Sequence, residues 1–194
     1  MTQFPMSQQP TYDPEAVQPM RDELIMAGFV ELITPEDVDS ILDNNNEETV
    51  LVMINSVCGC AAGSARPGVT LALQHSIIPD RLATVFAGQD KAAIAHLRQQ
   101  YLNEFPPSSP FVALTKNRQV LFILHRHDIE GRSPEEIANK LTVAFDQECS
   151  NKGPSISPED YGRLVHAVAC GSKIPMFGDN TNRRDGIGGA DRVH

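Results

Sequence analysis

A six-residue run, TVLVMI at 49–54, constrains the fold of this 194-residue chain more than any other segment. Strands that read as continuous apolar runs are buried on both faces of a sheet, so helices must cover each side. Capping, proline and periodicity signals predict further helices at 20–33, with a stop at Gly28, and at 34–43, 90–102 and 133–145. They predict further strands at 81–87, 111–114 and 119–124. A β-α-β unit is followed by a hairpin and a last helix, which predicts an α/β protein with a mixed sheet.

Two cysteines separated by one glycine, Cys58 and Cys60, come almost directly after this run. Where a buried strand ends and a helix begins, free backbone N–H groups and the positive end of the helix dipole both stabilise a thiolate. The thiolate is the species that attacks disulfides. A helix is predicted from residue 61 onward, with an interruption at Pro67 because proline has no N–H to give to Gly63. The pair therefore predicts thiol–disulfide chemistry at the carboxyl end of a sheet strand.

Two other interpretations of the pair stay open. Buried structural cysteines are common, and a Cys-x-Cys pair also occurs as half of a zinc site. Cys149 and Cys170 stand far away in the sequence, and we expect them to pack as small apolar side chains or to form a disulfide with each other. His125 and His127 alternate on a predicted strand face but have no evident third ligand, so we expect hydrogen-bonded or solvated histidines and no metal site.

Charge and composition argue against several classes of function. The formal net charge is −9, which disfavours binding to nucleic-acid phosphates. No apolar stretch approaches the roughly 20 residues of a membrane span, and the N-terminus lacks the basic-then-apolar order of a signal peptide. Four cysteines without an export signal favour a reducing compartment. We therefore expect a cytoplasmic protein without nucleic-acid or membrane partners.

The composition divides the chain into three parts. Residues 1–19 hold four prolines and are expected to be flexible. Residues 20–149 carry the predicted helices and strands and are expected to form one domain. Residues 150–194, rich in serine, glycine, asparagine and proline, are expected to be a partly irregular extension with one short helix at 157–170.

Several segments resemble the bacilliredoxin family of small thioredoxin-like proteins with a CGC active site. The active-site string NSVCGCAAG at 55–63, which continues as ARPG at 65–68, is long enough to be specific. The likeness continues in PPSSP at 106–110, RHDIEGR at 126–132 and MRDELIMAGFVEL at 20–32. It implies a thioredoxin-like fold over residues 20–149: a mixed four-stranded sheet flanked by helices, here with extra N-terminal helices and a C-terminal extension.

The activity that the resemblance implies is reduction of mixed disulfides between protein cysteines and a low-molecular-weight thiol, bacillithiol where the host makes it. Cys58 would attack the mixed disulfide and take up the small thiol, and Cys60 or a second small thiol would release it. Disulfide isomerisation or oxidation of proteins is one alternative, and a non-catalytic module that holds a metal or cluster is another. The implied partners are bacillithiolated or disulfide-containing proteins, the small thiol and a recycling reductase, with no bound cofactor.

Four further residues are candidates for contact with the substrate. In thioredoxin-like folds a cis proline before the third strand lies against the dithiol, and Ser109-Pro110 stands at the matching place. The resemblance therefore implies substrate contacts from Ser109, Pro110 and Gly59. Arg66 follows the dithiol by one to two helical turns and is expected either to attract an anionic thiol or to be solvated at the surface.

Overall fold

The centre of the protein is a five-stranded mixed sheet, seen in a computed structural model that describes residues 9–43 and 46–179. The strands are β1 (Val30–Glu31), β2 (Thr49–Asn55), β3 (Ile77–Ile78), β4 (Arg81–Phe86), β5 (Phe111–Lys116), β6 (Gln119–Leu124) and β7 (Asn151–Lys152). The sheet order is β1-β4-β2-β5-β6, and β3 pairs separately with β7. The prediction of an α/β protein with a mixed sheet is confirmed, and the short edge strand β1 is added to the four expected strands.

Strand β2 lies in the middle of the sheet, as its apolar sequence requires. It is parallel to β4, with Ile54 opposite Val85, and antiparallel to β5, with Ile54 opposite Phe111. All residues of β2 are buried because helices cover both faces of the sheet. The carboxyl end of β2 therefore lies beside the start of β5.

Helices form two layers around this sheet. They are α1 (Pro14–Met26), α2 (Pro35–Leu42), α3 (Arg66–Ala72), α4 (Lys91–Gln100), α5 (Arg126–Ile129), α6 (Pro134–Glu148) and α7 (Pro158–Gly162). One apolar core joins the sheet to α1, α3 and α6, and the other joins it to α2 and α4. Capping boxes at Thr34 and Ser133 start α2 and α6 where the sequence predicts. Among the described residues, no helix is both long and apolar enough to cross a membrane.

The first helix begins earlier than predicted and ends near the predicted stop. It starts at Pro14, where the side chain of Asp13 accepts a hydrogen bond from a backbone N–H of the first turn. Part of the segment expected to be flexible is thus helical, and Val17 within it is fully buried. Gly28, with φ at +100°, lies at the end of this helical segment, as predicted. Residues 1–8 lie outside the described ranges.

The helix after the dithiol contains one wide turn. Residues Ala61–Ala65 are π-helical, and the N–H of Arg66 donates to the carbonyl of Ala61. Pro67 has no N–H to give to the preceding turn, and a π turn is one way in which a helix accommodates a missing bond. The predicted interruption at Pro67 is therefore a local widening and not a break.

The described part of the extension, residues 150–179, packs along the domain. Strand β7 pairs with β3, and a β-bridge joins Met176 to Tyr12. The helix predicted at 157–170 is shorter than expected, because only α7 forms there. After α7, the carbonyl of Ala167 accepts a hydrogen bond from Arg66, and its N–H donates one to Glu23. Both backbone groups of Ala167 are therefore used by the domain and not by a helix. Residues 180–194 lie outside the described ranges.

Candidate active site

The dithiol lies directly beyond the carboxyl end of β2. The side chain of Asn55 accepts a hydrogen bond from the backbone N–H of Ser56 (2.8 Å) and donates one to the carbonyl of Met20 (3.1 Å). These bonds turn the chain out of the strand and tie the turn to α1. Helical structure begins at Gly59, so Cys58 stands just before the first helical turn, as predicted.

Cys58 is half-buried, and hydrogen-bond donors surround its sulfur. The hydroxyl of Ser56 is 3.1 Å away, the N–H of Ala61 is 3.3 Å away, and the sulfur of Cys60 is 2.7 Å away. Burial by itself raises the pKa of the Cys58 thiol, but these bonds and the positive charge of Arg126 outweigh burial and lower the pKa below its ordinary value. More of Cys58 is therefore thiolate at neutral pH than in a free cysteine.

Cys60 has the opposite character. Burial raises the pKa of the Cys60 thiol to about 11, and the hydrogen bond and charge of Cys58 act in the same direction. Cys60 thus keeps its proton and donates it towards the Cys58 thiolate. Since the two free sulfurs are in contact, they are placed to join as a disulfide when they are oxidised.

Helix α5 brings a positive charge to the dithiol. Arg126 is its first residue, and the carboxylate of Glu130, directly after the helix, is 3.6 Å from the guanidinium. The charges of Cys60 and Cys58 raise the pKa of Arg126, which is the reciprocal of the effect of Arg126 on Cys58. The segment RHDIEGR thus contributes electrostatically to the site, a role that was not predicted for it.

A pocket of about 450 Å³ opens beside the end of β2, lined by Ile54, Ile94, Arg98, Ser108, Ser109 and Arg126 among others. The guanidinium of Arg98 lies 4.7 Å from the ring centroid of Phe111 and donates to the carbonyl of Ser108. Its Nη1 is buried without a hydrogen-bond partner, and burial lowers the pKa of Arg98. Two arginines therefore line one pocket next to the dithiol, where an anionic group would find charged donors.

Three of the four predicted substrate contacts lie around the dithiol. The Ser109–Pro110 peptide bond is cis, as predicted, and the pairing of Ile54 with Phe111 brings Pro110 beside Asn55. Ser109 lines the pocket, and Gly59 is exposed at the start of the helical turn. Their contact with a substrate stays a prediction.

Arg66 differs from both expectations. It is 0% exposed, so it neither stands in solvent nor presents its charge to a substrate. Its Nε donates to Glu23 (2.7 Å), its Nη1 to Asn55 and to the carbonyl of Ser56, and its Nη2 to the carbonyl of Ala167 (2.6 Å). The carboxylate of Glu23 compensates the buried charge. The hydrogen bonds of the guanidinium to Asn55 and Ser56 stabilise the base of the active-site turn, where β2 ends.

The other two cysteines lie near opposite ends of β2. Cys149 interacts with Thr49 at the start of the strand, and burial raises its pKa to about 11. The sulfur of Cys170 is 3.8 Å from the position that a Cβ atom on Gly59 would occupy. A disulfide requires Cα atoms within about 7 Å, whereas these two cysteines lie near opposite ends of a strand that is roughly 20 Å long. The alternative of a disulfide between Cys149 and Cys170 is therefore wrong.

The two histidines do not lie on a strand face, because β6 ends at Leu124. His125 precedes α5, and its ring centroid is 5.1 Å from that of Phe111 and 5.2 Å from that of His127. Within residues 9–43 and 46–179, no group of three or more His, Cys, Asp or Glu side chains is placed to hold a metal ion.

Sequence reasoning missed four residues that shape the site: Glu23, Arg98, Arg126 and Cys170. Arg126 had a signal, because it stands in a segment that carries the family resemblance. Glu23 also stands in such a segment, but no pattern there points to its role, and Arg98 and Cys170 have no local signal. Glu23 matters only through its contact with Arg66, 43 positions further along the chain.

Several known proteins of similar sequence are bacilliredoxins. A family model described as disulphide isomerase matches residues 12–149. A bacilliredoxin of Salinibacter ruber is 47% identical over 143 residues, which are 74% of this chain and 83% of that protein. A bacilliredoxin of Halalkalibacterium halodurans is 48% identical over 138 residues, 71% of this chain and 94% of that protein. One of Bacillus cereus is 49% identical over 139 residues, 71% and 95% of the two chains.

The match covers the whole dithiol region and ends just before the extension. Identity near one half over most of each relative supports a thiol–disulfide redox function in general terms, as the dithiol geometry does. This chain therefore belongs to the bacilliredoxin family.

Proposed function

We propose that the protein is an oxidoreductase that reduces mixed disulfides between protein cysteines and a low-molecular-weight thiol. The observation that carries this proposal is the contrast between its two sulfurs. Hydrogen bonds and the charge of Arg126 lower the pKa of Cys58 against the effect of burial, whereas the pKa of Cys60 is raised to about 11. One sulfur is thus prepared to attack, and the other keeps a proton.

The reaction consists of two disulfide exchanges. The thiolate of Cys58 attacks the sulfur of the small thiol, a new S–S bond forms, and the protein substrate leaves as a thiolate that takes up a proton. Cys60 then loses its proton and attacks the sulfur of Cys58, which releases the small thiol and leaves a Cys58–Cys60 disulfide. Two electrons and two protons from a recycling reductase restore the dithiol.

The surroundings of the dithiol support a small anionic thiol as co-substrate. Arg98 and Arg126 line the neighbouring pocket, and their positive charges would attract the carboxylate of such a thiol. Ser109, Pro110 and Gly59 would contact the backbone of the protein substrate. We propose bacillithiol as the small thiol where the host makes it, with no bound cofactor, and a reducing compartment such as the cytoplasm as the place of action.

The fold is consistent with this role. Strands β4 and β2 are parallel, whereas β2, β5 and β6 pair antiparallel in turn, and this mixed pairing supports the proposal of a thioredoxin-like core. The second candidate is disulfide isomerisation, favoured by the description of the matching family model. It uses the same attacking sulfur, and release of a small thiol measured against refolding of a scrambled protein separates the two activities.

Single-turnover removal of bacillithiol or glutathione from a singly modified substrate protein tests the roles. We expect Cys58→Ser to lose this removal down to the uncatalysed rate, and Cys60→Ser to retain it. Cys149→Ser is the matched control, because its sulfur lies near the other end of β2. Removal that is as fast with Cys58→Ser as with Cys60→Ser would contradict the assignment. Stoichiometric zinc or iron that is lost from Cys58→Ser would favour the metal-binding alternative.

A further inference from the structure

The extension places a third cysteine at the dithiol. The sulfur of Cys170 is 3.8 Å from the position of a Cβ atom on Gly59, the residue between the two motif cysteines. The N–H of Gly171, directly after Cys170, donates to the carbonyl of Val57, directly before Cys58, at 2.8 Å. Cys170 directly precedes Gly171 and Cys58 directly follows Val57, so each cysteine is the neighbour of one partner of this hydrogen bond.

This segment of the extension is fixed on both sides of Cys170. Before it, the N–H of Ala167 donates to Glu23 (3.0 Å), and the carbonyl of Ala167 accepts from Arg66 (2.6 Å). After it, Ile174 is buried in an apolar cluster with Val57. Bonds to the base of the active-site turn therefore hold Cys170 in place, and its nearness to the dithiol does not depend on the cysteine itself.

The backbone bond between Gly171 and Val57 brings the extension close enough to the motif for a disulfide to be considered. A disulfide requires Cα atoms about 4.4–6.8 Å apart, and Cys170 and Cys58 are the residues next to this bond. Cys170 is half-buried and free, so its thiol is available for exchange. By contrast, Cys149 is held near the far end of β2 and cannot reach the motif.

We propose that Cys170 is a second resolving residue for this enzyme, an inference that rests on the proposed function. Once Cys58 carries the small thiol, the thiolate of Cys170 attacks the sulfur of Cys58. The Cys58–Cys170 bond forms, the bond to the small thiol breaks, and the small thiol leaves with its electron pair and takes up a proton. The oxidised site then closes covalently with its own extension, which lies beyond the family match.

The experiment uses the full chain with Cys60→Ser, so that Cys60 cannot compete. Glutathione disulfide is the probe, and intact-mass and tryptic-peptide spectrometry are the readouts. Trypsin leaves Cys58 in the peptide 22–81, because Arg66 precedes proline, and leaves Cys170 alone in the peptide 164–173. We expect a transient glutathione adduct that is replaced by a disulfide between these two peptides.

In Cys60→Ser/Cys170→Ser the adduct on Cys58 should persist at least about tenfold longer, because the intramolecular thiol is gone. Cys60→Ser/Cys149→Ser is the matched control and should behave like Cys60→Ser. Equal adduct lifetimes with and without Cys170, or no cross-linked peptide, would overturn this inference while the attack by Cys58 stands. If Cys58 takes up no glutathione in either variant, the proposed function fails and the resolving step fails with it.

Discussion

The matched domain and the C-terminal extension are held together by different forces. The domain, residues 12–149, has apolar cores on both faces of its sheet. In the described extension, residues 150–179, Ile174 alone is fully buried, whereas Val165 and Val168 are 76% and 82% exposed. Hydrophobic burial therefore accounts for the stability of the domain much more than for the attachment of the extension.

The extension is attached instead by the pairing of β7 with β3 and by hydrogen bonds to charged groups inside the domain. Glu23 and Arg66 form an ion pair whose side chains are both 0% exposed. Glu23 also accepts hydrogen bonds from His166 (2.7 Å) and from the N–H of Ala167 (3.0 Å). A buried ion pair is stable only when its remaining donors and acceptors are satisfied, and the extension satisfies several of them. One network thus supports the active-site turn and holds the extension.

Removal of one charge from this network should have the largest effect. Glu23→Ala leaves the buried guanidinium of Arg66 without its carboxylate, so we expect the free energy of unfolding to fall by about 3–5 kcal/mol. The amide of Ala167 should also lose protection from hydrogen exchange. Urea unfolding and exchange mass spectrometry measure both effects.

Glu159→Ala, which removes an exposed pair with Arg163, is the control and should cost less than about 1 kcal/mol. If Glu23→Ala lowered the free energy of unfolding by no more than this control, the network would not join the two regions.

Two glycine substitutions should separate the regions. A Cβ on Gly68 would lie 2.6 Å from the Cβ of Ile137, so Gly68→Ala should destabilise the whole domain by about 1–3 kcal/mol. A Cβ on Gly153 would lie 2.0 Å from the carbonyl oxygen of His75, so Gly153→Ala should release β7 and leave most of the domain stability intact. Urea unfolding followed by exchange over residues 151–155 tests this difference. Gly63→Ala is the control, since nothing lies within 4 Å of its Cβ position. If Gly68→Ala and Gly153→Ala lowered the free energy of unfolding of the domain equally, the extension would unfold together with the domain.

The reactivity of Cys58 should depend on the active-site turn, which belongs to the domain, and not on the extension. Ser56→Ala removes a donor to the sulfur, so the pKa of Cys58 should rise, and alkylation at neutral pH should slow roughly tenfold. Ultraviolet absorbance of the thiolate against pH measures the change, with the amide protection of Ala167 expected to stay the same. Ser64→Ala, whose hydroxyl donates to the carbonyl of Arg132, is the matched control. An unchanged titration of Cys58 would show that the Ser56 hydroxyl does not stabilise the thiolate.

The smallest expected effect concerns the charge on α5. Arg126→Gln should also raise the pKa of Cys58, but less than Ser56→Ala does, because Arg126 is exposed and its charge is screened by water and salt. Alkylation at neutral pH should slow roughly twofold at low salt and less at high salt. Arg132→Gln removes an exposed arginine that pairs with Glu136 and should leave the rate unchanged. A slowing that is independent of salt would point to lost packing instead of lost charge.

Features with short-range causes were predictable from the sequence. The caps at Thr34 and Ser133 start their helices because each bond lies within one turn, and β2 is central because its side chains are apolar on both faces. Placement of the dithiol at the end of β2 followed for the same reason. The start of α1 at Pro14 was missed, because proline content suggested flexibility where burial of the helix decided the outcome.

Features that depend on distant contacts were not predictable. Arg66 was expected to contact solvent or substrate, since no local pattern shows that Glu23 neutralises it in the interior. The helix predicted at 157–170 is cut short because bonds from the domain to Ala167 replace helical ones. Cys170 had no interpretable role until the bond between Gly171 and Val57 placed it at the motif.

The amino-acid sequence alone determined the mixed α/β architecture, the position of Cys58 and Cys60 at a strand end, and the general chemistry of two thiols there. Apolar periodicity, capping and the reactivity of cysteine act over a few residues, so they can be read along the chain. The tertiary structure was needed to show which sulfur has the lowered pKa, which arginines line the pocket, and which cysteine of the extension lies near the site. Those outcomes depend on burial and charge summed over residues that are distant in sequence and adjacent in space.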